Sequence, residues 1–372
     1  MADLLESADT QSINLSTRNE ALMLRAYTAE VLNIEEADTQ HAGTMLTFVG
    51  RLRVSAEEAF ARLKHHFAGL GYVPLLREEE GSHRDMVVAV KGRLEAPLRQ
   101  RPIVHIALLL ATIASTVLFG GLFASALSAN FRPTLGDLLA NGVPFSLTLL
   151  SILGVHELGH YIQARRHNLP VSLPYFIPLP LPGTLGTLGA FIQMRGAVEN
   201  KRALFDVGIG GPLAGLAVAI PLFVVGLLQS ELASSPAPNN RSWLMIALIA
   251  LFRPEALDYG ILLNPVLLAA RFGLVITAIN LLPIGQLDGG HIAYAALGRR
   301  WATLLGYLTL GALLVLGVTT SSLWLTWLLF ALFSGLQRPQ PLDELTPLDK
   351  RRSLVFIATT LLFFSLFTAR PL

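Results

Sequence analysis

From residue 102 to the C-terminus the sequence is a succession of long apolar runs separated by short charged stretches. A helix needs about 20 such residues to cross the hydrocarbon core of a bilayer, and only helices or closed barrels satisfy their backbone polar groups there. Hydrophobic residues make up 52% of the 372-residue chain and charged residues 15%, against about 25% charged in soluble proteins. The expected fold class is a polytopic α-helical membrane protein of about six to seven spans, preceded by a small soluble α+β domain. Its N-terminus has neither the basic and apolar regions of a signal peptide nor the composition of a transit peptide. The net charge of +2 says little about partners, and no basic aromatic-rich patch for nucleic acid is present.

Residues 1–25 read as a polar tail, and 26–98 as the α+β domain. Within it, Thr44–Val49 is strand-like, and Ser55–Leu70 is a helix with a Ser55/Glu58 capping box and an apolar stripe at Ala56, Phe60, Leu63 and Phe67. Tyr72–Arg77 and Asp85–Lys91 form a hairpin, giving β-α-β-β with an earlier strand near Val31. His65 and His66 belong to a solvated or half-buried face of that helix. A basic patch of Lys91, Arg93, Arg99 and Arg101 leads into a first span, 103–129, and a second follows at 143–163. His105, near the start of the first, suits an interfacial polar contact.

Residues 170–196 carry too many Pro and Gly for a helix yet are largely apolar, which marks a re-entrant or membrane-surface loop. A third span covers 205–228, opening on small residues from Gly208 to Gly215 suited to close helix packing. The stretch 243–270 is apolar but interrupted by Arg253, Glu255 and Asp258, and has no clear place. Residues 272–297 read as one span broken by Asn280, Pro283, Gly285 and Gly289-Gly290. Further spans lie at 301–318, 323–336 and 354–367. Arg165-Arg166, Lys201-Arg202, Arg299-Arg300 and Lys350–Arg352 all fall on one side if the spans alternate, and that side is expected to be the cytosol, with the N-terminal domain.

Inside the second span stands His156-Glu157-Leu158-Gly159-His160. Four residues apart on a helix, the imidazoles lie about 40° and about 6 Å from each other and reach one metal ion. Two neutral nitrogen ligands, with a carboxylate able to take a proton from metal-bound water, form the donor set of a hydrolytic zinc centre. With Cys absent, any such site is built from His and carboxylates. An uncompensated Glu at membrane depth costs about 3 kcal/mol or more, which weighs against a structural role.

A third ligand is required. His167 lies about 10 Å further along the helix, too far to share the ion, and Glu199 reads as a solvated loop acid. Asp288, in Gln286-Leu287-Asp288-Gly289-Gly290, is an acid inside an apolar span. It sits about 16 Å in from Arg299, and the two His about 8 to 14 Å in from Arg165 on the same side. Two His and one Asp leave a fourth position for water.

The pairing of His156–His160 with Asn280-Leu281-Leu282-Pro283-Ile284-Gly285-Gln286-Leu287-Asp288-Gly289 resembles the two-part signature of the site-2 protease (peptidase M50) family of intramembrane zinc metalloproteases. The soluble domain and the added C-terminal spans look most like bacterial relatives of its chloroplast EGY-type branch. The resemblance implies a membrane core at 143–300 with extra spans over 301–372. It implies one zinc per chain on His156, His160 and Asp288, Glu157 as general base, and Asn280 holding the scissile carbonyl or its oxyanion. It also implies that the 170–196 loop pairs with an unwound substrate as an added strand. The expected reaction is peptide hydrolysis in or near the transmembrane segment of a single-span substrate, in the cell membrane. The alternatives are a metal-ion transporter using the same cluster, which leaves Glu157 without a distinct role, or a catalytically silent membrane-protein binder.

Overall fold

The structure is a computed structural model that describes residues 18–40, 45–79, 81–92, 101–126, 134–181, 184–194, 196–236, 240–334 and 340–368. Arg93 and Arg99 of the basic patch, and residues 1–17 of the polar tail, lie outside the described residues. The chain forms two units, and the first gathers Met1–Ala96 with Gly196–Arg202 and Gln340–Leu348.

In the first unit, helix α1 (18–31) runs directly into strand β1 (Leu32–Gln40). Then follow β2 (Met45–Leu52), α2 (Ala56–Gly69), β3 (Tyr72–Glu78) and β4 (Asp85–Lys91). The strands form one antiparallel sheet in the order β1-β2-β4-β3. Ser55 caps α2 by accepting from the Glu58 N–H, and the helix buries Ala59, Phe60, Leu63 and Phe67. These pack into one core with Phe48, Leu76, Val87 and Ala89, the inward residues that period-2 alternation selects. His66 stacks on Tyr27 at 4.3 Å. In the β3–β4 turn, Glu36 and Glu79 hold the Arg84 guanidinium above its ordinary pKa, while Ser82 and then Arg84 hold the Glu79 carboxyl below its own.

Two distant segments extend this sheet. Leu76 of β3 donates to the Leu342 carbonyl and accepts from Glu344 N–H, while Leu342 and Asp343 donate to Val198 and Glu199. Both new pairings are parallel, at Leu76↔Asp343 and Asn200↔Asp343. The Asp343 carboxylate, fully buried, accepts from Leu345 N–H, Thr346 N–H and the Thr346 hydroxyl. Glu199 is correspondingly not a merely solvated acid: it pairs with Lys64. Local pattern carries no information on a partner 135 residues away.

The second unit, Pro97–Arg195 with Ala203–Pro339 and Asp349–Leu372, is mostly helical. Helix α3 (Pro102–Ser115) passes through one π-helical turn, Thr116–Gly120, into α4 (Gly121–Ala126). The long α5 (Leu135–Arg166) is capped by Thr134. After it come β5 (Tyr175–Pro178) and β6 (Thr187–Phe191), an antiparallel hairpin in the Pro/Gly-rich stretch. His105 donates from Nδ1 to the Pro174 carbonyl beside this hairpin, and its ring lies tilted against Tyr175, centroids 4.0 Å apart. Helix α6 spans Lys201–Gln229.

The stretch without a clear place resolves into short pieces. Strand β7 (Leu232–Pro236) precedes α7 (Trp243–Phe252), a 3-10 turn at Pro254–Leu257, and β8 (Tyr259–Ile261), which pairs with β7. Helix α8 (Pro265–Asn280) then begins at an Asn264 cap. Here one expectation is corrected: 272–297 is not one broken span. Pro283 and Gly285 end the helix at Asn280, and α9 (Asp288–Thr319) starts afresh at Asp288 as two helical segments joined by a kink at Gly298, φ 78°, at the boundary expected between 272–297 and 301–318. The Gly289-Gly290 pair lies in the first turn of α9 and does not break it. Helices α10 (Leu323–Ser334) and α11 (Lys350–Leu366, capped by Asp349) complete the unit.

Among the described residues, four helices are long and apolar enough to cross a membrane: 102–123, 135–166, 201–229 and 288–319. Two further apolar helices, α7 and α8, are shorter. The protein is a helical membrane protein with an N-terminal α+β region.

Replacing Asp343 by Ala removes the acceptor of one buried and one part-buried N–H group and of a buried hydroxyl, and is expected to destabilise its unit by about 1–3 kcal/mol. Amide exchange over 342–346 in the full chain is expected to accelerate accordingly. Exchange at the wild-type rate would contradict the structural role given to this carboxylate.

Candidate metal centre

Helix α5 places His156, Glu157 and His160 in the interior, each less than a tenth exposed. The site's other acid comes from the break between α8 and α9. Asn280 ends one helix, Asp288 begins the next, and residues 281–287 fold back between them. That fold needs glycine in the first turn of α9, because a Cβ on Gly289 would lie 2.0 Å from the Leu281 carbonyl oxygen and one on Gly290 2.4 Å from that of Gly285. The break therefore brings Asn280 and Asp288 to the same place.

There the residues converge. His156 Nε2 and His160 Nε2 are 3.1 Å apart. The Asp288 carboxylate straddles them, with Oδ2 3.2 Å from His156 Nε2 and Oδ1 3.2 Å from His160 Nε2. Asn280 Nδ2 lies 3.4 Å from His156 Nε2. Glu157 faces the β-hairpin instead, its carboxyl within hydrogen-bonding reach of the Ile192 backbone just past β6. Among the described residues, His156, His160 and Asp288 are the one group of three or more His and acidic side chains placed to hold a metal ion. His167 is outside it, bonded at 2.9 Å to Asp206.

The donor chemistry fits a divalent cation. His160 Nδ1 lies 2.7 Å from the Val207 carbonyl, which can only accept, so Nδ1 carries the proton. In the neutral ring Nε2 is then a lone pair, aimed at a second imidazole nitrogen and a carboxylate. With both rings neutral, three electron-rich groups meet there, an arrangement that a divalent cation among them stabilises, and Asp288 Oδ2 is buried without a hydrogen bond. A tetrahedral zinc with bonds of about 2.0–2.1 Å holds its donors about 3.3 Å apart; here the two imidazole nitrogens are 3.1 Å apart, each has one Asp288 oxygen at 3.2 Å, and one donor atom from each residue lies within 4.8 Å of the others. Carbonyl support of the ring nitrogen remote from the metal is the usual way such a ligand is oriented.

Helix α6 forms the wall behind the imidazoles. Val207, Gly211 and Gly215 recur every four residues and so share one helix face. A Cβ on Gly211 would sit 2.1 Å from His160 Nε2, and one on Gly215 3.2 Å from His156 Nδ1. Gly159 and Gly210 let the α5 and α6 backbones approach, since a Cβ on Gly159 would lie 2.3 Å from the Gly210 carbonyl oxygen. The small-residue stretch from Gly208 to Gly215 signalled close packing in the sequence. That two of its glycines house the rings, and that a backbone carbonyl orients one, had no side-chain signal.

Gly211→Ala places a methyl group where the His160 ring nitrogen projects. We expect it to lower metal uptake by at least tenfold while helical content, followed by circular dichroism, is kept. Undiminished uptake would mean that the imidazole points elsewhere.

Comparison with known proteins follows the same segments. Residues 144–316 match the family model described as Peptidase family M50. The "Probable zinc metalloprotease EGY2, chloroplastic" of Oryza sativa subsp. indica is 32% identical over 243 residues, 63% of this chain and 44% of the relative. Its Arabidopsis thaliana namesake is 34% identical over 244 residues, 63% and 43% of the two chains. The Arabidopsis thaliana "Probable zinc metallopeptidase EGY3, chloroplastic" is 28% identical over 366 residues, 89% of this chain and 62% of the relative. The chain thus spans less than half the length of these EGY2 relatives. No solved structure matches it. The two-part signature lies inside the segment that matches peptidase family M50, and the chain is similar to the EGY-type zinc metalloproteases over that segment and beyond it.

Proposed function

We propose that the protein is an intramembrane zinc metalloprotease that hydrolyses a peptide bond in or near the transmembrane segment of a membrane-protein substrate. The observation that carries this reading is the convergence of His156, His160 and Asp288, one donor atom from each lying within 4.8 Å of the others, in a protein whose relatives are named zinc metalloproteases. His156, His160 and Asp288 hold one zinc per chain. When bound, zinc polarises the scissile carbonyl and acidifies the attacking water.

The remaining steps belong to the chain's own groups. Glu157, beside the ligands on α5, takes the proton from the attacking water and delivers it to the leaving amine nitrogen. The Asn280 amide, an N–H donor at the far corner of the site, holds the carbonyl oxygen as its charge grows. Strand β6 leads to Glu157 through Ile192, so an unwound substrate paired along the hairpin as an added strand passes the general base. We read residues 26–98 as an α+β domain, completed by Gly196–Arg202 and Gln340–Leu348, 143–300 as the membrane core and 301–372 as added C-terminal spans. We assign this domain and the basic flanks of the helices to the cytosolic side of the cell membrane, and a single-span protein as the substrate.

Two measurements test the reading. Elemental analysis of purified protein is expected to give about one zinc per chain for the wild type and sharply less for Asp288→Ala, because two imidazoles alone leave the tetrahedral site one protein ligand short. A wild type that takes up no zinc when metal is supplied would end the protease reading. Glu157→Gln keeps the shape of the side chain but not its basicity. It is expected to retain zinc and to lose at least 100-fold in cleavage of a membrane-embedded substrate; turnover at the wild-type rate would remove Glu157 from the mechanism.

A further inference from the structure

Asp206 immediately precedes Val207, the residue whose carbonyl accepts the His160 Nδ1 hydrogen bond. Its carboxylate is held from two sides. Arg352, in the first turn of α11, grips it as a fork: Nε to Oδ1 at 2.7 Å and Nη2 to Oδ2 at 2.5 Å. His167, at the C-terminal end of α5, sets Nε2 2.9 Å from Oδ2. Arg352 also bonds Asp349, the residue that caps α11. The network thus ties together α5, which carries both imidazoles; α6, which carries the orienting carbonyl; and α11, which contributes nothing to the metal group itself.

The physical demand on α6 is one of register. Its Val207 carbonyl has to meet His160 Nδ1 while Gly211 keeps clear of the same ring, where even a methyl group would overlap. A slide by a single residue, about 1.5 Å along the axis, breaks the first condition or the second. The Gly159–Gly210 contact brings α5 and α6 close but is non-directional, and permits sliding and rotation. A bidentate guanidinium–carboxylate pair is directional, fixing both distance and plane. Partly buried ion pairs contribute little net stability compared with apolar packing, and their best-attested use is to set register.

We propose that Asp206 is a positioning residue for the metal centre: clamped by Arg352 and His167, it fixes α6 in the register that aims the Val207 carbonyl at His160. This makes α11 a working part of the catalytic unit although it supplies no ligand. The proposal rests on the zinc reading given above and deepens it.

The test uses the full chain in detergent. Zinc affinity is measured by competition with a chelator, and ligand geometry by the visible absorption spectrum of the Co2+-loaded protein. The variants are Asp206→Asn, Arg352→Lys (charge kept, fork lost) and the double exchange Asp206→Arg with Arg352→Asp. Each single variant is expected to bind zinc about tenfold more weakly, the scale on which outer groups tune a metal site, with a changed Co2+ spectrum and undiminished helical content. The double exchange is expected to recover part of the affinity.

Wild-type affinity and spectrum in both single variants would overturn the clamp while leaving the zinc reading intact. Weakening that appears only together with loss of helix would overturn it too, as mere scaffolding. If Asp206→Asn does not fold, Arg352→Lys decides by itself. Absence of zinc from the wild type would overturn the zinc reading and the clamp with it, and is told apart because it needs no variant.

Discussion

Everything in the membrane unit answers to the difficulty of keeping a carboxylate and two imidazole lone pairs together inside apolar helices. A charge placed there without a partner costs several kcal/mol, and three donors of electrons without a cation repel one another. The arrangement becomes favourable once a divalent ion joins them, and the surroundings are shaped to that end. One imidazole is fixed in tautomer by the Val207 carbonyl, glycines on α6 give both rings room, and the break between α8 and α9 delivers Asp288 at the depth of His156 and His160. The helix break is thus part of the site rather than a defect in a span. Irregular backbone is tolerated at membrane depth only where protein or a cavity receives it.

The same reasoning divides labour among the helices. Helix α5 supplies the two imidazoles and Glu157, the general base we propose, on adjacent turns. Helix α6 supplies no side-chain ligand, yet its register decides whether His160 is oriented at all. The β5–β6 hairpin leads into the Ile192 backbone beside Glu157, the group we propose as general base. The ion network at Asp206 extends this dependence to α11, so the chemistry at three donors is underwritten by contacts between residues as much as 146 positions apart. The first unit solves a different problem. Its sheet is lengthened by two segments drawn from the far parts of the chain, and a buried Asp343 satisfies the backbone groups of the turn that follows.

What the sequence by itself determined is whatever local spacing and the cost of burial encode. His156, Glu157 and His160 are legible because four residues make just over one helical turn. Asp288 is legible because an acid in an apolar run needs a partner. Strands β2 to β4 and helix α2 of the first unit follow from period-2 and period-3.6 patterns, as do the long helices of the second; helix α1 (18–31), whose Leu24 is buried in the core, runs across the boundary expected between the polar tail (1–25) and the domain. Only the tertiary structure decided where a helix pauses and what it meets. Hydropathy alone does not tell a helix that ends at Asn280 and restarts at Asp288 from one kinked span, since both read as apolar residues around Pro and Gly. Nor does any pattern mark the Val207 carbonyl, which every residue type carries, or match Glu199 with Lys64 and Asp206 with Arg352. Such pairings are set by the packing of segments remote in sequence, and each residue taken singly reads as an ordinary surface charge.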